Sequence, residues 1–152
     1  ARAQIKGATP LDPASPWWTQ ELDLLLPCSI SGLLTADITA ALQVKSVVPA
    51  ANAPFADPAL ADQMRQRGVR VLPDPLVNAG AVIADSIERF APEAWKQASP
   101  EQVYGFVRQA VRQRASDFLA QRDRGLSVGE ALMHVAAGRS QDPIGLSFVL
   151  PT

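Results

Sequence analysis

The sequence predicts an α/β fold of about three parallel strands in βα units, followed by carboxyl-terminal helices. Three observations carry that expectation. Short apolar runs ending at proline occur at Leu22–Leu26, Val44–Val48 and Val69–Leu72. Each is followed closely by a segment with helical signals. Beyond Pro92 the pattern is helical only. Strands and helices that alternate with short joins form parallel sheets, because a parallel pair needs a crossover and the helix supplies it.

Four stretches follow in order: a loop-rich lead-in (1–20), the βα units (21–92), the carboxyl-terminal helices (93–138) and a tail (139–152). Residues 8–16 hold three prolines, so the lead-in reads as loop. Trp17 and Trp18 are adjacent, which in most conformations turns one inward and leaves the other at a surface. The run Leu22–Leu26 reads as a buried strand. Thr35 is a helix N-cap with Asp37 in the first turn and Ile38, Ala41 and Leu42 on one face. Val44–Val48 is rich in β-branched residues and reads as the second strand. Asp57 and Pro58 are an N-cap and a first helical proline, and Gly68 is the expected end of that helix. Val69–Leu72 is the third strand, closed by Pro73 and Pro75. A third helix begins near Ala79, with Val82, Ile83, Ile87 and Phe90 at helical spacing. Ser99 with Gln102, and Ser127 with Glu130, read as capping boxes that open two later helices. Val103, Phe106, Val107, Ala110, Val111, Phe118 and Leu119 form the apolar face of the first; Leu132, Val135 and Ala136 mark the second. The tail from Arg139, with Asp142, Pro143 and Gly145, reads as loop or extended chain.

Composition excludes several function classes. With 152 residues, length gives no reason to expect two domains. A formal net charge of -1 argues against a nucleic-acid surface. No apolar run is long enough to cross a bilayer, and the amino end lacks the apolar core of a signal peptide. One cysteine, Cys28, and one histidine, His134, cannot build a multi-ligand His/Cys metal site in one copy. The lone cysteine forms no intrachain disulfide, which fits a cytoplasmic protein. Lysines stand only at Lys6, Lys45 and Lys96.

In open parallel sheets, ligands bind beyond the carboxyl ends of the strands. The three loops expected there are residues 27–32, 49–54 and 73–80. All contain small residues that let a ligand approach the backbone, and two carry an asparagine, whose amide both donates and accepts. Taken alone, Asn52 and Asn78 read as turn or helix caps. In order and spacing, however, the segments Leu26–Gly32, Val48–Pro54 and Leu72–Gly80 resemble three segments of the glutamate/leucine/phenylalanine/valine dehydrogenase family. The family pattern is roughly P-C-A-x-x, then A-N-N or A-N-G, then P-D-x-x-x-N-A-G-G. The resemblance covers about residues 20 to 137 and is much less specific in the trailing helices.

The resemblance implies a partial Rossmann-like fold, the carboxyl-terminal half of an NAD(P)-binding domain. It implies that Pro27 and Cys28 line a cofactor cleft, mostly through backbone. Ala50, Ala51 and Asn52 would meet the nicotinamide ribose, Asn52 also the substrate. Asn78 would bond the nicotinamide carboxamide, or help frame the reacting carbon, and Gly80 would permit close approach. Two residues depart from the pattern: Ala53 stands where the family has asparagine or glycine, and Ala81 where it has a second glycine.

The family's G-x-G-x-x-G/A turn for the pyrophosphate has no counterpart here, and none of the three lysines matches its catalytic motif. No catalytic residue is therefore expected in this chain. Cys28 reads as a small buried or cleft-lining residue, not a nucleophile. His134 reads as a satisfied structural histidine, and Asp74 as a turn residue fixing the loop of Asn78. The arginines at 108, 112, 114, 122 and 124 read mostly as a solvated helix face, and Trp17, Trp18 and Trp95 as packing residues. Two functions remain open. One is part of a dehydrogenase that interconverts an L-amino acid and its 2-oxo acid with NAD or NADP, completed by the remainder of the enzyme or by another copy. The other is a non-catalytic stand-alone half-domain acting in binding or assembly, with an exposed sheet edge where the glycine-loop strand should pair. A first residue Ala1 in place of methionine leans towards the first.

Overall fold

The structure is a computed structural model and describes residues 7–12, 14–138 and 143–150. Lys6, Pro13, Arg139 and Asp142 lie outside the described residues. The sheet has three parallel strands in the order β1–β2–β3: β1 (Glu21–Leu25), β2 (Gln43–Val47) and β3 (Arg70–Val71). The register sets Leu22 against Val44 and Leu25 against Val47, then Val47 against Val71. Backbone bonds carry the ladder one residue further, from Val48 N–H to the Leu25 carbonyl and from Leu72 N–H to the Val47 carbonyl.

Helices α1 (Ala36–Ala41) and α2 (Pro58–Gln66) connect the strands. Their caps are the expected ones. The Thr35 hydroxyl accepts from Ile38 N–H, Asp57 accepts from Ala59 N–H, and Gly68 takes the left-handed backbone that ends α2. Ala41 is exposed, and the residue buried beside Leu42 is Thr39. Its hydroxyl donates to the carbonyls of Thr35 and Ala36, so it is satisfied inside the fold. Arg67 closes this end of the molecule by donating to the carbonyls of Thr39 and Leu42.

Leu34, Leu42, Val47, Ala61, Met64, Val69 and Val71 form the core between the sheet and these helices. Trp17 and Trp18 lie in a short 3-10 turn (Trp17–Thr19), stacked edge to face with centroids 5.6 Å apart. Both are half-buried and both pack on this core, so neither faces outward as adjacency had suggested. A further correction concerns β1. Leu24 is 49% and Leu26 54% exposed, so Leu22–Leu26 is not a buried strand. Among the described residues β1 is an edge strand paired with β2 alone, and its Leu24 is left half exposed.

The chain then passes through α3 (Asp74–Val77), α4 (Gly80–Phe90), α5 (Pro92–Gln97), α6 (Pro100–Asp123) and α7 (Val128–Ala137). Both predicted capping boxes are present, at Ser99 with Gln102 and Ser127 with Glu130. Phe118 and Ala131 bury the α6–α7 contact against Leu76 of α3. Ile87 and Val103 join α4 to α6, and Phe148 completes that cluster. Residues 143–150 of the tail are therefore not free loop. Ile144–Ser147 forms a 3-10 turn over α4, Gly145 N–H donates to the Ser86 hydroxyl, and Phe148 meets Phe106 edge to face at 5.3 Å. Leu119 is 39% exposed, so the apolar face of α6 narrows towards its end. Arg122 is half-buried and caps the α6–α7 turn by donating to the Leu126 carbonyl, which removes it from the solvated face.

Candidate functional site

All three predicted loops leave the carboxyl ends of the strands, and hydrogen bonds join them to one another. The first loop meets the second through the Pro27 carbonyl, which accepts from Ala50 N–H at 2.9 Å and Ala51 N–H at 2.8 Å. Gly32 N–H donates to the Ala53 carbonyl, and Leu34 N–H to the Pro54 carbonyl, both at 2.9 Å. Gly32 has a φ of 69°, which glycine adopts without penalty. The Ser31 hydroxyl adds a bond of 2.7 Å to the Asn52 carbonyl. The second loop meets the third where Ala53 N–H donates to the Asp74 carboxylate at 2.8 Å.

Each sequence-predicted residue can be placed within this cluster. Pro27 and Ala51 are buried and serve the loop-to-loop bonds with their backbone. Cys28 is exposed, not buried, and its thiol donates to the Leu26 carbonyl at 3.2 Å. Ala50 and Asn52 are exposed at the second loop. Asn78 is half-buried at the end of α3, its N–H bonded to the Asp74 carbonyl at 2.9 Å. Among the described residues, neither the Asn52 nor the Asn78 side-chain amide has a hydrogen-bond partner, so both can meet a ligand. Gly80 starts α4, and a Cβ there would stand 3.4 Å from Val107. That is an ordinary van der Waals distance, so the packing of α4 on α6 does not by itself require glycine there.

The two departures from the family pattern have different local consequences. Ala81 lies in the first turn of α4, exposed, where alanine is a better helix former than glycine. Ala53 has a φ of 44°, left-handed backbone that asparagine and glycine tolerate and alanine resists. That is a physical reason for asparagine or glycine at this position.

Other groups lie elsewhere. Lys45 pairs with Asp23 at 2.7 Å on the sheet surface, which lowers the Asp23 pKa and raises that of Lys45 through the shared hydrogen bond. Lys96 pairs with Glu93 on α5. The His134 imidazole is exposed on α7 without a hydrogen-bond partner among the described residues, so it is not the satisfied structural histidine expected. An open depression of about 480 Å³ is lined by Asp23, Lys45, Arg67 and Arg70. It lies against the middle of β1 and β2 and the turn into β3 and includes none of the three loops, and Arg67 is already committed to α1. No group of three or more His, Cys, Asp or Glu side chains among the described residues could hold a metal ion. No helix among them is long and apolar enough to cross a membrane.

Sequence reasoning missed Ser31 and the cross-loop role of Asp74. In the sequence Ser31 carries no signal beyond being a small residue in a loop, and Asp74, flanked by two prolines, signals only its own turn. That turn is a short helix, and the backbone of Asp74 does serve it; the carboxylate serves the neighbouring loop.

The model of the Glutamate/Leucine/Phenylalanine/Valine dehydrogenase family matches residues 2–137. Glutamate dehydrogenase A2 of Halobacterium salinarum is 33% identical over 132 residues, covering 82% of this chain and 30% of that protein. Valine dehydrogenase of Streptomyces coelicolor is 38% identical over 73 residues, 47% of this chain and 20% of that protein. The chain thus spans under a third of the length of these relatives. Among solved structures, L-tryptophan dehydrogenase from Nostoc punctiforme superposes with a TM-score of 0.69 at 21% identity, over 86% of this chain and 38% of that one. The hetero-hexameric glutamate dehydrogenase of Thermus thermophilus gives 0.67 at 24% identity, over 96% and 36%. At those identities the likeness establishes the fold, a partial Rossmann-like α/β arrangement.

Proposed function

The chain belongs to the glutamate/leucine/phenylalanine/valine dehydrogenase family of oxidoreductases, and we propose that it forms the nicotinamide-side wall of an NAD(P)-binding cleft. The observation that carries this reading is the cross-linked cluster of three loops at one sheet edge, with two asparagine amides left free. A bound nicotinamide would supply the hydride chemistry, and the protein's part is to orient the ring and keep the reacting face clear. Asn52 would meet the ribose and the substrate, and Asn78 the carboxamide. Cys28, Ala50 and Ala51 would offer small surface and backbone. Pro27 acts one step back, holding the first two loops together through its carbonyl, and Gly80 at the start of α4 would leave room for close approach.

The residues fit the nicotinamide half of such a cofactor and not the pyrophosphate half. No G-x-G-x-x-G turn occurs in the sequence, and neither described lysine stands at the three loops. We therefore assign to the whole enzyme, and not to this stretch, the interconversion of an L-amino acid and its 2-oxo acid in the cytoplasm. The unpaired outer edge of β1 is the place where a strand from the remainder of the enzyme would continue the sheet, and exposed Leu24 and Leu26 would be covered there. Catalysis by this chain alone is not expected.

Calorimetric titration with NAD(H) tests the incomplete site. Binding should be undetectable, or no tighter than about 1 mM. Micromolar affinity would overturn it. An intact-mass measurement on the native source separates the two functions that the sequence left open. A longer polypeptide supports the enzyme part, and a product no longer than this chain supports the stand-alone half-domain.

A further inference from the structure

We propose that Asp74 is a positioning residue that sets the stance of Asn52 by clamping the peptide between Asn52 and Ala53; this deepens the nicotinamide-wall reading and rests on it. One peptide unit is gripped at both ends. Its carbonyl, on Asn52, accepts from the Ser31 hydroxyl at 2.7 Å, and its N–H, on Ala53, donates to the Asp74 carboxylate at 2.8 Å. Each partner lies 21 residues away, in the loop on either side. The next peptide is tied as well, through Gly32 N–H on the Ala53 carbonyl.

The clamp explains how Ala53 holds a φ of 44°. A residue with a Cβ leaves left-handed backbone unless its surroundings over-determine it. A charge-assisted bond from a carboxylate is strong enough to do so, whereas a neutral one is weaker. Released from Asp74, the Asn52–Ala53 segment can leave its left-handed conformation, and the path of the loop relaxes, carrying the Asn52 Cα and the amide on it to a new position. Asp74 therefore acts through Asn52 and touches no reacting atom. Its backbone has a separate task, since its carbonyl holds Asn78 N–H. Changing the side chain leaves that bond in place.

The test uses the full chain and three variants: Asp74→Ala, Asp74→Asn and Ser31→Ala. Amide hydrogen exchange reads the clamp directly. In Asp74→Ala the Ala53 amide should exchange at least about tenfold faster, as loss of a bond to a charged acceptor implies. Asp74→Asn, whose side-chain oxygen still accepts, should recover most of the protection. Ser31→Ala should free the Asn52 carbonyl while leaving the Ala53 N–H bonded, and so give a smaller effect. Unchanged Ala53 exchange in Asp74→Ala overturns the clamp.

Nicotinamide mononucleotide at millimolar concentration reads the consequence. Its effect on the Asn52 side-chain resonances should be lost in Asp74→Ala and return in Asp74→Asn, with the Asn78 response retained throughout. Equal Asn52 responses in wild type and Asp74→Ala overturn the positioning role. Failure of the wild-type loops to respond at all removes the cofactor reading instead, and the exchange result alone then decides the clamp. Asp74→Asn also serves as the folding control, because a purely structural defect in Asp74→Ala would alter exchange throughout the loops and not at Ala53 first.

Discussion

Ala53 occupies a backbone conformation in which its methyl group is a handicap, and two loops hold it there. Left-handed backbone costs a residue with a Cβ about 1 kcal/mol or more, and glycine loses about half to one kcal/mol through its freer unfolded state. Ala53→Gly should therefore be slightly stabilising and raise the melting temperature by about 1–2 °C. A lower melting temperature would show that the strain is not there. Asn52→Ala should behave oppositely in the two assays. The side chain is exposed and unpartnered among the described residues, so stability should change by less than about 0.5 kcal/mol. The response of the second loop to nicotinamide mononucleotide should nevertheless fall. The placement of Asn52 and Asn78 beyond the carboxyl ends of β2 and β3 was legible in the sequence, because the proline-closed runs mark where those strands end. The bonds of Ser31 and Asp74 were not, because each joins a side chain to a backbone group 21 residues away, and backbone groups leave no mark on composition.

Among the elements, the helix starts were the most legible, since a cap is made by residues three apart. At α7 the Ser127 hydroxyl accepts from Glu130 N–H at 3.2 Å, and the Glu130 carboxylate accepts from Ser127 N–H at 2.8 Å. Ser127→Ala should cost about 1 kcal/mol, read from thermal or denaturant unfolding. The bonds from Ser127 hold the Glu130 carboxyl below its ordinary value. A lowered folded-state value means the contribution is present above the ordinary carboxylate range and lost as the pH falls through the lowered value. The amides of the first turn of α7 should accordingly lose protection in acid, once the pH falls below the ordinary carboxylate range, before the core does. Simultaneous loss would count against the box. Strand burial was illegible, because Leu22–Leu26 looks the same in a central strand and in an edge strand, and only sheet order distinguishes them. The tail was also illegible, since its anchor is a glycine. A Cβ on Gly145 would collide with the backbone of Ser86 and Ile87. Gly145→Ala should detach the turn from α4 at a cost of about 1–3 kcal/mol and remove the contact between Phe148 and Phe106, visible in the aromatic resonances. An unaltered aromatic contact would contradict that packing.

Across the whole molecule, apolar burial is divided among three modest clusters, and one side of the sheet is left open at β1. An open edge offers unpaired backbone groups to another chain, a pairing that natural sheets block with charge. The isolated chain should associate with rising concentration, and Leu24→Lys should reduce this in sedimentation velocity; association unaffected by the charge would place the contact elsewhere. The parallel order of the strands and the gathering of three loops at their carboxyl ends were both legible, because alternation and proline-closed runs fix them together. That the loops are bonded into one surface emerged only from the structure. The most direct test of that surface is a two-dimensional amide titration with reduced nicotinamide mononucleotide. Shifts confined to residues 27–32, 49–54 and 73–80, with the Asn52 and Asn78 side-chain amides among them, are the expected result. Silent loops, or shifts centred on the depression at Lys45 and Arg70, would contradict a nicotinamide-side wall.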